Sequence, residues 1–80
     1  MVLYTFPGTH AVIFAEQVLQ EAAVPVTVLP VPDTITAGCG LCIEILPEDR
    51  QRAENGLKAC GVEISAIYEK KEGSYQPAGS

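Results

Sequence analysis

Two stretches of helical periodicity, each bounded by short β-forming runs, limit this chain to very few architectures. In the first, Ala11, Val12, Ala15, Val18, Leu19 and Ala22 recur at three- and four-residue spacing, which gives a helix one buried face. Glu16, Gln17, Gln20 and Glu21 fall largely on the other side. Thr9 stands at the N-cap position, where its hydroxyl can accept from a free backbone N–H, and Pro25 bars continuation past Ala23. In the second stretch, Pro47 suits the first helical position, and Glu48 and Asp49 complement the positive end of the helix dipole. Ala53, Leu57 and Cys60 form its expected inner stripe, and Gly61 supplies the stop.

Strands are expected over residues 2–6, 26–29, 41–46 and 62–68. In the third of these, Leu41, Ile43 and Ile45 share one face while Cys42 and Glu44 share the other. The order is therefore an α+β fold of the ferredoxin-like split βαββαβ type, with a four-stranded antiparallel sheet and two helices on one face. Residues 1–69 are expected to form a single domain with a thin core, as a chain this small allows. Residues 70–80 are charged, then rich in Gly, Ser and Pro, and are expected to be a disordered tail. The topology gathers residues 7–10, the connection from Pro30 to Gly40, and Cys60-Gly61 at one end of the sheet. The face opposite the helices is expected to carry Leu3, Thr5, Leu29, Cys42 and Ile67, a partly apolar surface that could join two copies into a homodimer.

Composition excludes several functions. Five basic residues against ten acidic ones give a net charge of −5, the wrong sign for tracking a phosphate backbone, so no nucleic acid is expected as a partner. The apolar runs fall far short of the ~20 residues of a membrane span. Residues 1–4 resemble no signal peptide, so a cytoplasmic protein without a membrane partner is expected. In that compartment the three cysteines read as thiols, not as a disulfide framework.

The chemistry-bearing segment is Ala37-Gly38-Cys39-Gly40-Leu41-Cys42. Gly38 and Gly40 leave the Cys39 sulfur sterically open, and it lies at the tip of a connection longer than a usual hairpin loop. A reactive thiol also needs help to ionise, from a helix N-terminus or a neighbouring cation. Thr9 and His10 open the first helix at the same end of the fold and are the candidate binding partners, with Gly38 and Gly40 shaping the loop. Cys39 and Cys42 together make a Cys-x-x-C. In redox proteins that motif usually opens a helix, whereas here Cys42 falls in a strand, so dithiol chemistry loses its dipole. One Cys-x-x-C supplies two of the four ligands of structural zinc, and Cys60 and His10 add no matching spacing. No metal or other cofactor is implied for one chain, although a four-thiolate site shared by two chains stays open. Cys60, on the inner stripe, reads as a small buried hydrophobe.

These residues resemble the Se/S carrier protein-like family of small domains, also found as the C-terminal part of the YedF selenium-metabolism proteins. The resemblance runs over about residues 3 to 69 and is carried by Tyr4-Thr5-Phe6, Thr9-His10, Ala15-Glu16, Pro30-Val31-Pro32, Cys39-Gly40-Leu41, Gly61-Val62-Glu63 and Ile67-Tyr68. Its specific part is the Cys-Gly turn after the Pro-x-Pro loop. It implies a non-enzymatic carrier that holds sulfur or selenium on Cys39 as a persulfide or selenosulfide. The donor would be an enzyme of the cysteine desulfurase or selenocysteine lyase type, and an acceptor protein would remove the cargo by thiol exchange. Cys42 departs from the family pattern and is a candidate resolving thiol. Two rival readings stand beside the carrier: a dithiol redox or metal-binding protein using Cys39 and Cys42, and a dimerisation or interaction module without chemistry.

Overall fold

The computed structural model describes residues 1–32, 35 and 40–78. Its elements are β1 (Val2–Thr5), α1 (Thr9–Glu21), β2 (Thr27–Pro30), β3 (Leu41–Ile45), a 3-10 turn (Pro47–Asp49), α2 (Arg50–Ala59), β4 (Ala66–Lys71) and β5 (Ser74–Pro77). All strand pairs are antiparallel, in the order β2-β3-β1-β4-β5. β1 lies at the centre, and all four of its residues are buried. It therefore reads as a continuous apolar run instead of an alternating one, as a strand covered on both faces does.

Among the described residues the fold is α+β with two helices, but the sheet has five strands where four are expected. The fifth lies within the segment expected to be disordered. Glu72 and Gly73 both take positive φ, 50° and 83°, which is the two-residue turn that suits the twist of a hairpin. The strands on either side pair Lys71 with Ser74, Lys70 with Tyr75 and Tyr68 with Pro77. Lys70 also lies over the Tyr75 ring, with Nζ 5.8 Å from its centroid. The expected last strand at residues 62–68 begins later, at Ala66, because residues 62–65 carry the chain from the end of α2 down to the sheet.

The main core lies between the helices and one sheet face. Tyr4, Ile43, Ile45 and Ile67 meet Val12, Ala15, Leu19, Ala53 and Leu57 there. Ile67, expected on the far face, pairs with Tyr4 and so faces the helices. A second, smaller cluster covers the other face: Leu3, Cys42 and Ile35 are buried together, with Leu29, Val31, Tyr68 and Tyr75 around them. The apolar face expected to be bare is thus largely covered within one chain, and Ile35, from the β2–β3 connection, is part of its cover.

Both helices end in the same way. After α2, Val62 N–H donates to Leu57 C=O at 2.9 Å and Gly61 N–H to Lys58 C=O at 3.1 Å, with Gly61 at φ 74°. This double closure needs a left-handed residue, which glycine adopts without a Cβ clash. After α1, Val24 bonds to Leu19 and Ala23 to Gln20 in the same pattern, but the left-handed position is Ala23, at φ 60°. An L-residue there is strained by about 1 kcal/mol. Ala23→Gly is expected to stabilise the protein by about 0.5–1 kcal/mol, read as a higher urea midpoint at unchanged slope. A lower midpoint would show that the α1 terminus is not strained.

A polar cluster pins α2 to the sheet. Tyr4 Oη donates to Glu54 Oε2 at 2.9 Å, Arg50 Nε donates to the same oxygen at 2.6 Å, and Arg50 Nη1 donates to Glu69 Oε1 at 3.2 Å. Burial holds the Tyr4 phenol well above its ordinary range, and the Glu54 hydrogen bond and charge add to this, opposed by Arg50. The native state therefore keeps the Tyr4 proton when the unfolded chain, with an ordinary value of 10.0, releases it. The contribution is fully present below about pH 10 and is lost progressively above it. Tyr4→Phe is expected to flatten the fall in unfolding free energy by about half a proton's worth of slope at about pH 10 and by close to one above about pH 11. An identical slope in the two proteins would show that Tyr4 ionises freely in the native state.

Candidate thiol site

The strand registers bring the described flanks of the expected site to one end of the sheet. Thr5, the last residue of β1, pairs with Cys42, and Leu41 pairs with Pro30, so the β2–β3 connection leaves the sheet where α1 begins. β4 enters at the same end, with Ser65 N–H donating to Thr5 C=O at 2.8 Å. α2 starts at the opposite end, after Leu46, and runs back toward Cys60 and Gly61. The connection is closed at its base by Val31 N–H donating to Gly40 C=O at 3.0 Å, and it turns inward where Ile35 N–H donates to Pro32 C=O at 2.9 Å. Gly40 is exposed, with open space around the position of a Cβ. Gly38 and Cys39 lie outside the described residues, as do residues 33, 34, 36 and 37.

Cys42 belongs to the interior. It lies in β3 between Thr5 of β1 and Leu29 of β2, is 0% exposed, and packs with Leu3 and Ile35. Its Sγ is 3.4 Å from Leu29 C=O and 3.8 Å from Pro30 C=O, with the thiol donating. Nucleophilicity belongs to the accessible thiolate, and burial denies the Cys42 sulfur that access. Cys60 is the reverse of the expectation. α2 ends at Ala59, so Cys60 caps the helix and is exposed instead of lying on the inner stripe, where Ala53 and Leu57 are buried. Cys60 is a free thiol.

Thr9 is also displaced by one position from its expected role. The N-cap is Gly8, in extended conformation, and Thr9 is the first residue of α1, exposed and not the capping side chain. His10 follows in the first turn and is exposed. Ile35 was missed from the sequence, although a signal existed: it is the single large apolar side chain between Asp33 and Gly38. Among the described residues no group of three or more His, Cys, Asp or Glu could hold a metal ion. Among the same residues no helix is long and apolar enough to cross a membrane.

The first turn of α1, at this end, holds no acidic residue. α1 carries Glu16 and Glu21 and no Lys or Arg, in keeping with the chain's net charge of −5.

Comparison with known proteins gives one match. No curated protein and no solved structure matches the chain. The model of the family described as "Putative Se/S carrier protein-like" matches residues 1–69, which include β1 through most of β4 and the whole Cys39–Cys42 segment. The chain belongs to the Se/S carrier protein-like family.

Proposed function

We propose that this protein is a sulfur or selenium carrier that holds its cargo on Cys39. The observation that carries the reading, given family membership, is the sealing of Cys42 inside β3 beneath Ile35. Burial of that second thiol supports assigning the exchange to the glycine-flanked Cys39. In this reading Cys42 is a core residue, not a resolving thiol. The first four strands and two helices act as a ferredoxin-like scaffold whose β2–β3 connection presents Cys39, with Gly38 and Gly40 giving access and His10 at the neighbouring helix start.

In the loading step, the Cys39 thiolate attacks the outer sulfur of a persulfide on a donor enzyme. The donor's S–S bond breaks, the donor leaves as a thiolate, and Cys39 becomes the persulfide with no net oxidation. An acceptor thiolate removes the outer sulfur by the same exchange, at a rate set by thiolate fraction and access. Selenium follows the same path as a selenosulfide. The protein completes no turnover alone, so it is a carrier and not an enzyme, working in the cytoplasm between a desulfurase- or lyase-type donor and a protein acceptor.

The test is loading by a cysteine desulfurase with cysteine, compared across single-cysteine variants. Cys42→Ala and Cys60→Ala are expected to load like the wild type, and Cys39→Ala not at all. Loss of loading in Cys42→Ala, with a folded protein by circular dichroism, would return the dithiol reading to first place.

A further inference from the structure

The fifth strand makes the sheet wider than its helical layer, and a cleft opens along the outer flank of α2. Its volume is about 420 Å³, within the range of small-molecule sites. Ile64, Ile67 and Ala78 supply apolar walls, and Glu54, Lys58 and Ser65 line its polar side. Ala78 is held in place by its N–H donating to Ile67 C=O at 2.8 Å.

The two charges at the cleft are not equivalent. Glu54 Oε2 already accepts from Tyr4 and Arg50, so its charge is balanced inside the protein. Lys58 is exposed and, among the described residues, forms no ion pair or side-chain hydrogen bond. The cleft therefore presents an apolar wall with an uncommitted cation beside it.

We propose that this cleft binds a small apolar carboxylate. An acyl chain of about eight carbons fits the volume, lying against Ile64, Ile67 and Ala78 with its carboxylate on Lys58 Nζ and Ser65 Oγ. This proposal does not depend on the Cys39 chemistry.

The experiment is an amide NMR titration of the full chain with octanoate, octanol and octylammonium, each below its micelle concentration. Octanoate is expected to shift the amides of Ile64, Ala66, Ile67 and Ala78 saturably, with a Kd of about 1 mM or tighter. Octylammonium is expected to bind about tenfold more weakly, because its charge meets Lys58. Lys58→Glu, at an exposed position, is expected to reverse that order while leaving octanol unchanged. Ala78→Phe, which fills the cleft, is expected to abolish the shifts for all three. Equal binding of octanoate and octylammonium would overturn the proposal, as would octanoate affinity unchanged in Lys58→Glu or the absence of saturable shifts. Shifts of the same amides on dilution of the protein alone would assign the cleft to a second copy of the chain and overturn it as well.

Discussion

Cys42 is expected to react with iodoacetamide about a thousandfold or more slowly than Cys60 in the native protein, and at a similar rate in urea. The two thiols are chemically alike and differ in where the fold puts them. Cys60 is exposed at the end of α2, whereas Cys42 lies at 0% exposure in an interior strand beneath Ile35. Alkylation of Cys42 must wait for an opening that separates β3 from β2 or lifts the cover off this face. Interior strands open with free energies approaching global unfolding, several kcal/mol for a domain of this size, which sets the factor of about a thousand. Quenched alkylation followed by intact and fragment mass spectrometry of a Cys39→Ala variant reads both rates separately. Comparable rates would mean that the cover opens freely, and a second working thiol beside Cys39 would then become the better account of the Cys-x-x-C.

Leu57→Ala is expected to cost about 3 kcal/mol and to lower Tm by roughly 10–20 °C. α2 has a polar sequence, Arg50–Ala59, and buries only Ala53 and Leu57. Leu57 is therefore its one large apolar anchor, at 0% exposure in the main core. The polar cluster of Tyr4, Glu54, Arg50 and Glu69 sits at a partly exposed edge, where ion pairs contribute about 1 kcal/mol or less. It orients the helix but does not replace the anchor. Leu46→Ala, at 39% exposure, serves as the control and is expected to change stability by about 0.5 kcal/mol or less. Equal effects of the two substitutions, measured by urea unfolding, would show that α2 is held by its polar contacts and not by the core.

Much of this architecture was legible in the residues because the signals were redundant. α1 has periodicity, an N-terminal Pro-Gly break and a following Pro25, all agreeing. The alternation of Leu41, Ile43 and Ile45 with Cys42 and Glu44 assigned the faces of β3 correctly, since a period of two admits no ambiguity about sides. The misreadings have physical causes. Cys60 fits the helical spacing of Ala53 and Leu57, but the turn completed by Gly61 ends the helix one residue before it. Thr9 has the chemistry of a cap, yet Gly8 takes the extended conformation and lets the helix start at Thr9. Ile67 faces the helices because β4 pairs it with Tyr4, a register that the residues of one strand do not fix by themselves. β5 was hidden by composition. Residues 70–80 are polar enough to suggest disorder, and the two-residue turn at Glu72-Gly73 lacks the Asn-Gly or Asp-Gly pair that marks such hairpins most strongly.

At the site, the sequence could single out Cys39 by its glycines but could not separate the roles of Cys39 and Cys42. Cys42 is buried with Ile35, and that burial depended on where Ile35 folds back, a tertiary event that one apolar residue among turn-formers signals only weakly. The Cys60 misreading belongs to the same class: spacing proposes a face, and the helix terminus disposes of it.

The central claim is that Cys39 carries the cargo, and intact-mass spectrometry tests it most directly. The wild-type protein and a Cys39→Ala variant, both reduced, are incubated with a cysteine desulfurase and cysteine and weighed without further reduction. The account predicts a gain of one sulfur atom in the wild type that is absent from the variant and removed by a reducing thiol. An equal gain in both proteins, or a wild type that gains nothing and loses two hydrogens on mild oxidation, would contradict it.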